Sequence, residues 1–251
     1  MENSKPFLNP DFAKIKTKYS HFLIEVRKKL IFTGFVFLIA IFTGFVFYEK
    51  IIASLVKLLS LNGVNIVFTS PFQFINLAIS SGVAVGLIVI FPILVVQILS
   101  FLKPALKRKE FKMVTKFLPF SLTLFLIGFI FGALVMKWQI EIFLTRASAL
   151  GIGNVLDISR LLSTIILTSA LMGVGFQFPM ILLLLMHLRI VTRKQLSKKR
   201  LWIYLGSFIF AILLPADSIL TDIFLSLPLI FLFELTLLIG YVYEKKRSKS
   251  N

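Results

Sequence analysis

The stretch Ser70–Glu110, SPFQFINLAISSGVAVGLIVIFPILVVQILSFLKPALKRKE, decides the fold class. From Leu77 to Leu102 it runs for 26 residues without a charged side chain. As a helix rising about 1.5 Å per residue, that run reaches roughly 39 Å, enough to cross a hydrocarbon core of about 30 Å with some tilt. Pro92 within it removes a backbone hydrogen bond and predicts a kink, and Gln97 is an amide at home inside a helix bundle. The run ends in Lys103-Pro-Ala-Leu-Lys107-Arg108-Lys109-Glu110, a basic loop carrying one acid.

Working outward from there, apolar runs recur at about 30–47, 117–136, 161–187, 201–214 and 219–243, six spans with the first one included. A chain that is 58% hydrophobic, with mean hydropathy +0.94 and 28 Phe, would expose too much apolar surface as a soluble domain. The expected fold is an all-α integral membrane protein of six transmembrane helices, the last two spans short. The first run exceeds a signal peptide's apolar core and leads into a polytopic pattern, so the N-terminus is expected to stay.

The formal charge of +17 is a topology signal rather than a nucleic-acid signal. The segments before span one, between spans two and three, between four and five, and after six hold 23 of the 28 basic residues; the alternate segments hold Lys50, Lys57, Lys137, Arg146 and Arg160. Excess Lys and Arg mark the cytoplasmic side, so both termini are expected there, with a contribution from anionic lipid. Residues 1–20 read as a flexible cytoplasmic tail, 21–243 as the membrane domain and 244–251 as a basic tail.

Absent residue types exclude several chemistries. With no cysteine there are no disulfides, thiolate nucleophiles or sulfur-ligated metals. His21 and His187 have no metal-binding spacing, and neither a GxxxxGK[ST] loop nor a GxSxG elbow is present. No enzyme activity, metal or cofactor is expected, and any work must draw on an external energy source.

Several motifs remain after the spans are drawn. Tyr19–Leu30 places His21, Glu25 and Lys28 or Lys29 along one side of a helix start, so Glu25 can be a solvated acid paired with either lysine. IFTGFVF occurs twice, at 31–37 and 41–47; a ten-residue step turns a helix about 1000°, so Gly34 and Gly44 lie on different faces. Ile51, Ile52, Leu55 and Val56 predict an amphipathic helix along the external interface, ended by Asn62-Gly63. Gly128 and Gly132 predict a close helix approach. Lys137, Trp138 and Glu141 predict an interfacial anchor, followed by a separate outer helix and turn before Asp157 or Ser159 caps span four. Gln177 lies in MGVGFQFPM, and His187 reads as an interface residue. Span five, held between Arg200 and Pro215, is about 21 Å long and falls short of the core, which sets Asp217 near or below headgroup level. Span six begins at Asp222 and is expected to break at Pro228. Its Glu234, an acid among leucines, is either functional or bound to a structural partner such as Gln97 or Gln177.

Ser-Pro-Phe, the span with Pro92 and Gln97, and then Phe101, Pro104, Leu106 and Glu110 together resemble the TatC family of the twin-arginine protein translocase. HFLIEVRKKL at 21–30 resembles that family's N-terminal His-Leu-x-Glu-Leu-Arg motif, and Leu196–Asp217 with Phe233-Glu234 resembles its last two helices. The likeness covers about 19–243. It implies a receptor that binds twin-arginine signal peptides of folded passenger proteins, assembles with single-span TatA- and TatB-type subunits, and draws on the proton-motive force in the cytoplasmic membrane, or in an organellar inner or thylakoid membrane. It further implies that Glu25 and Glu110 receive the paired arginines, that Arg27, Phe101, Pro104 and Leu106 shape that site, and that Gln97, Gln177, Asp217, Thr221 and Glu234 serve the concave face and partner contacts. Family members typically carry glutamate where this chain has Gln177, which cannot take a proton or pair with a cation. Two exposed carboxylate–arginine pairs contribute little by themselves, so the signal's apolar segment must supply most of the affinity. The rival from another class is a six-span solute or ion transporter using Asp217, Asp222 and Glu234.

Overall fold

The computed structural model describes residues 10–59, 65–67, 70, 72–102, 108–150, 155–187, 190–216 and 218–248; side-chain surroundings are further limited, leaving out 10–23, 99–102, 108–118 and 243–248 among others. Nine helices and one small sheet are found among these residues: α1 (Pro10–Val46), α2 (Tyr48–Leu59), β1 (Asn65–Val67), α3 (Gln73–Leu102), α4 (Arg108–Ala149), β2 (Val155–Asp157), α5 (Ile158–Gly175), α6 (Phe178–His187), α7 (Arg193–Lys198), α8 (Arg200–Ile212) and α9 (Ile219–Ser248). Five segments are long and apolar enough to cross a membrane, Ile24–Val46, Gln73–Ile98, Pro119–Ala147, Ser159–His187 and Ile219–Val242. The sixth apolar helix, α8, has 13 residues, too few to cover a core of about 30 Å. The shortfall expected for the last two spans is confined to α8, since α9 carries a 24-residue apolar segment.

The end of the bundle at which α3 finishes and α4 begins is called the inner end, after the charge pattern of the sequence, and the opposite end the outer one. Helix α1 begins at Pro10, inside the stretch expected as a tail. The central span is built as two helices, α5 and α6, interrupted at Phe176 and Gln177. Pro179 has no N–H to donate back to Gly175, and the ladder resumes where the Ile181 amide donates to the Gln177 carbonyl at 3.0 Å. Pro92, Pro119 and Pro228 each lie inside a continuous helix, so the break expected at Pro228 does not occur. Loss of one hydrogen bond is tolerated there, whereas unwinding in an apolar setting would orphan several more.

Close approaches of helices set the packing. A Cβ on Gly44 would lie 2.8 Å from the Gly82 Cα, and Gly86 admits the Phe37 ring, so α1 lies directly on α3. Gly34 has nothing within 4 Å, as its different face requires. Gly132 meets the Ser169 Cα and Gly128 the Met172 carbonyl, which joins α4 to α5. The main core then gathers Leu124 and Val135 of α4, Met172 of α5, Met180 of α6, Ala211 of α8, and Leu225 and Leu229 of α9.

The outer end departs from expectation in two ways. Helix α4 continues to Ala149 without the break foreseen after Met136, since Ile140 is buried against Leu162 and Ile165 and keeps the helix seated. Helix α2 turns Ile52, Leu55 and Val56 into that same cluster, so its apolar face covers α3–α5 instead of resting on lipid. β1 and β2 pair in parallel, Ile66 opposite Leu156.

Candidate functional site

At the inner end, Glu25 is about half exposed on α1, and its Oε1 lies 2.8 Å from the Lys29 Nζ one turn on. The partner foreseen from spacing is therefore present. A pair this exposed contributes about 1 kcal/mol or less, so a guanidinium fork can displace the ammonium at small cost. The Lys29 carbonyl accepts a hydrogen bond from the Gln97 Nε2 at 3.4 Å. Gln97 is thereby assigned a structural bond, and it fastens the turn bearing Glu25 to the inner part of α3. Arg27 is exposed on the same turn.

Glu110 is the third residue of α4 and Phe101 the penultimate residue of α3. Their side chains, and the whole of Pro104, Leu106 and Asp217, lie outside the described residues. By backbone alone, α3 descends to the inner end at Leu102 and α4 leaves that end at Arg108, so Glu110 belongs to the end of the bundle that carries Glu25.

The other singled-out residues are spread over separate contacts. Gln177, 5% exposed, accepts from the Ser121 hydroxyl at 2.8 Å and donates to the Ser121 and Gly173 carbonyls at 3.3 Å. It caps the α5–α6 interruption and clips it to α4, which uses up a neutral amide's capacity. Glu234 finds a partner not anticipated from sequence: its Oε2 is 3.1 Å from the Arg200 Nη2, and its Oε1 accepts from the Tyr204 hydroxyl. Both partners lie on α8, not on the Gln97 or Gln177 elements considered as alternatives. The hairpin could have signalled the pair, because Arg200 and Glu234 each stand 17 residues from Asp217 and so reach one depth. Thr221 is buried near the outer end. Asp222 is also buried, and its Oδ1 has no hydrogen-bond partner among the described residues. Twelve residues of α9, about 18 Å, separate it from Glu234. That interval, with Glu234 already ion-paired, leaves these two acids unsuited to a continuous relay. Among the described residues, no three His, Asp or Glu side chains come together as a metal would require.

The outer end is closed by a polar network that sequence reading reached only in part. Asp157 is the N-cap of α5, and its Oδ1 accepts from the Ser159 and Arg160 amides at 2.9 and 3.2 Å. Its Oδ2 accepts from the Gln73 Nε2, while the Ser159 hydroxyl donates to the Gln73 carbonyl at 2.9 Å. The starts of α3 and α5 are thus tied together beside the β1–β2 pair.

Two clefts flank the core. One, of about 460 Å³, lies between the α5–α6 interruption and α8 and is lined by Phe178, Trp202, Gly206 and Phe210. The other, of about 520 Å³, opens at the outer end between α4, the start of α5 and the start of α9.

The comparisons with known proteins agree with this architecture. The chain is 29% identical over 236 residues to the Sec-independent protein translocase protein TatCy of Bacillus subtilis, covering 91% of each. It is 28% identical over 228 residues to the Sec-independent protein translocase protein TatC of Escherichia coli K12, covering 89% of this chain and 88% of that one. Two crystal structures of the twin-arginine translocase receptor TatC superpose with TM-scores of 0.77 and 0.75 at 24% and 25% identity, over 87% and 88% of this chain and 98% of theirs. The family model for the Sec-independent protein translocase protein TatC matches residues 21–228, from the acid motif of α1 through the short α8 and into the start of α9, and the chain belongs to that family.

Proposed function

We propose that this chain is the receptor core of a twin-arginine translocase, in which Glu25 and Glu110 engage the paired arginines of a signal peptide at the inner end of the bundle. The observation that supports this most is the placement of Glu25: half exposed, on a turn held to α3 by Gln97, at the end where α4 begins with Glu110. Arg27, Phe101, Pro104 and Leu106 form the rim of the site. The carboxylates fix register, and the signal's apolar segment, lying along the inner half of α3, supplies most of the affinity because exposed charge pairs contribute so little.

Single-span TatA- and TatB-type subunits dock against the apolar cleft beside α8, where Trp202 and Leu201 are more than 70% exposed and a 13-residue helix leaves part of the membrane thickness uncovered. Gln97, Gln177 and Glu234 serve this reading by holding α1, α4 and α8 in place, and Thr221 stands toward the outer end. Transport of folded passengers then runs on the proton-motive force across the cytoplasmic membrane, or its organellar counterpart, with no covalent step and no cofactor.

Peptide binding to the purified chain in detergent or nanodiscs tests the reading. A signal peptide with two arginines is expected to bind several-fold tighter than one with two lysines, and Glu110→Ala should erase that difference. Equal binding of both peptides to the wild type, or an unchanged preference in Glu110→Ala, overturns it.

A further inference from the structure

Two contacts between α1 and α3, far apart along the pair, keep one register. Gly44 of α1 stands against the Gly82 Cα of α3, and the Gln97 Nε2 donates to the Lys29 carbonyl. From Gly82 to Gln97 is fifteen residues of α3, and from Gly44 back to Lys29 is fifteen residues of α1, so the antiparallel helices stay in step over about 22 Å. One turn farther inward on each, about 6 Å, come Glu25 on α1 and Phe101 in the last turn of α3. By backbone, that register brings the two positions to one level. Helix α3 does not secure it alone. Pro92 lies between the two contacts and has no N–H to donate to the Ile88 carbonyl, which weakens the helix where its inner part begins. Beyond it Leu94, Val96 and Ile98 are exposed, and Val95 packs on the main core, about 200° round the helix from Gln97. On α1, Ile24, Arg27, Lys28 and Leu30 are exposed as well. Apolar packing therefore does little to orient the Glu25 turn against α3, and the Gln97 amide does so.

Orientation matters to one kind of cation and not to the other. A guanidinium presents parallel N–H donors in a plane and needs a carboxylate held to match them, whereas an ammonium is a compact charge that pairs from many directions. The Gln97 bond is to the main chain, so it persists when the Lys29 ammonium gives way at Glu25. We infer that Gln97 is a positioning residue that determines specificity for arginine over lysine, by fixing the direction in which Glu25 faces the end of α3. This rests on the receptor reading and deepens it, since a clip between two helices acquires a ligand preference only where Glu25 receives a cation.

Gln97→Met keeps the length and bulk of the side chain and removes its N–H donors. In the purified full chain it should lower the affinity for a two-arginine signal peptide to that for the two-lysine peptide, while the two-lysine affinity stays at its wild-type value; a merely structural loss would lower both. A second arm reads the register without peptide. The chain has no cysteine, so introduced pairs report alone. Glu25→Cys/Phe101→Cys should be joined by a short bismaleimide faster than Arg27→Cys/Phe101→Cys, because position 27 lies about 200° round α1 from position 25, and adding Gln97→Met should erase that advantage. A full arginine preference in folded Gln97→Met, an equal fall in both affinities, or equal crosslinking of the two wild-type-background pairs overturns the inference. A wild type that binds both peptides equally overturns the receptor reading, and the specificity role with it, even where crosslinking still depends on Gln97.

Discussion

The two ends of this bundle use polar side chains in opposite ways. At the outer end Asp157, Gln73 and Ser159 are taken up by one another and by the first amides of α5. At the inner end Glu25, Arg27 and Lys28 are exposed, and the pair that Glu25 makes with Lys29 is of the kind that water weakens. The membrane-spanning segments follow suit: 61% of the most apolar window of Ser159–His187 is buried within the protein, against 17% for Ile24–Val46. Much of the burial and polar bonding therefore lies in the middle and outer parts, while the inner acid is held by an exposed ion pair to Lys29 that a guanidinium pair can replace.

Substitutions should separate these roles, with the largest loss of stability at the α4–α5 contact. Gly132→Leu drives a side chain into the Ser169 Cα, only 2.9 Å from where a Cβ would stand, and backbone cannot swing aside. The expected cost is about 3 kcal/mol, read as a lowered thermal unfolding midpoint in detergent. Asp157→Ala removes a cap and one hydrogen bond of the Gln73 amide, for about 2 kcal/mol, while signal-peptide affinity in the folded fraction stays the same. Should that affinity collapse as well, the division between the two ends is wrong. Glu25→Gln should do the converse, leaving the unfolding midpoint nearly unmoved and weakening peptide binding by about 1 kcal/mol, roughly fivefold.

The spans were legible in the sequence because lipid demands long apolar runs whatever the tertiary structure, and the shortness of α8 followed from Arg200 and Pro215. Where packing overrode local signals, legibility failed. Lys137-Trp138 and Glu141 look like a helix end at an interface, yet Ile140 is seated in a core cluster, and Lys137 and Glu141, 3.9 Å apart at i, i+4 spacing, suit an unbroken helix. The close α1–α3 contact does have a signal in the sequence, the Gly82-x-x-x-Gly86 spacing inside α3. The three-residue parallel pairing of β1 with β2 has none, since it joins segments about ninety residues apart with no pattern of their own. Of the candidate site, Glu25 and Gln97 were found through motif and amide chemistry. Glu234 stood out as an acid in an apolar helix, but its partner required knowing that α8 and α9 fold back on each other.

The smallest effect is expected from Gly34→Ala, and the two copies of IFTGFVF make it informative. Identical neighbours surround Gly34 and Gly44 in sequence, so any difference between Gly34→Ala and Gly44→Ala reports helix phase alone. Gly44 faces the Gly82 backbone, and a methyl group there must push α1 off α3, whereas Gly34 faces open space. Gly34→Ala should shift the unfolding midpoint by no more than about 0.5 kcal/mol, with alanine's better helix propensity acting in its favour; Gly44→Ala should cost clearly more. The same phase governs the inner acid. Glu25 precedes Gly34 by nine residues, about half a turn out of register, and so stands on the opposite side of α1 from the empty face. Equal effects at the two glycines would mean that α1 is rotated on α3, and Glu25 would rotate with it, away from the end of α3 to which Gln97 now fastens its turn.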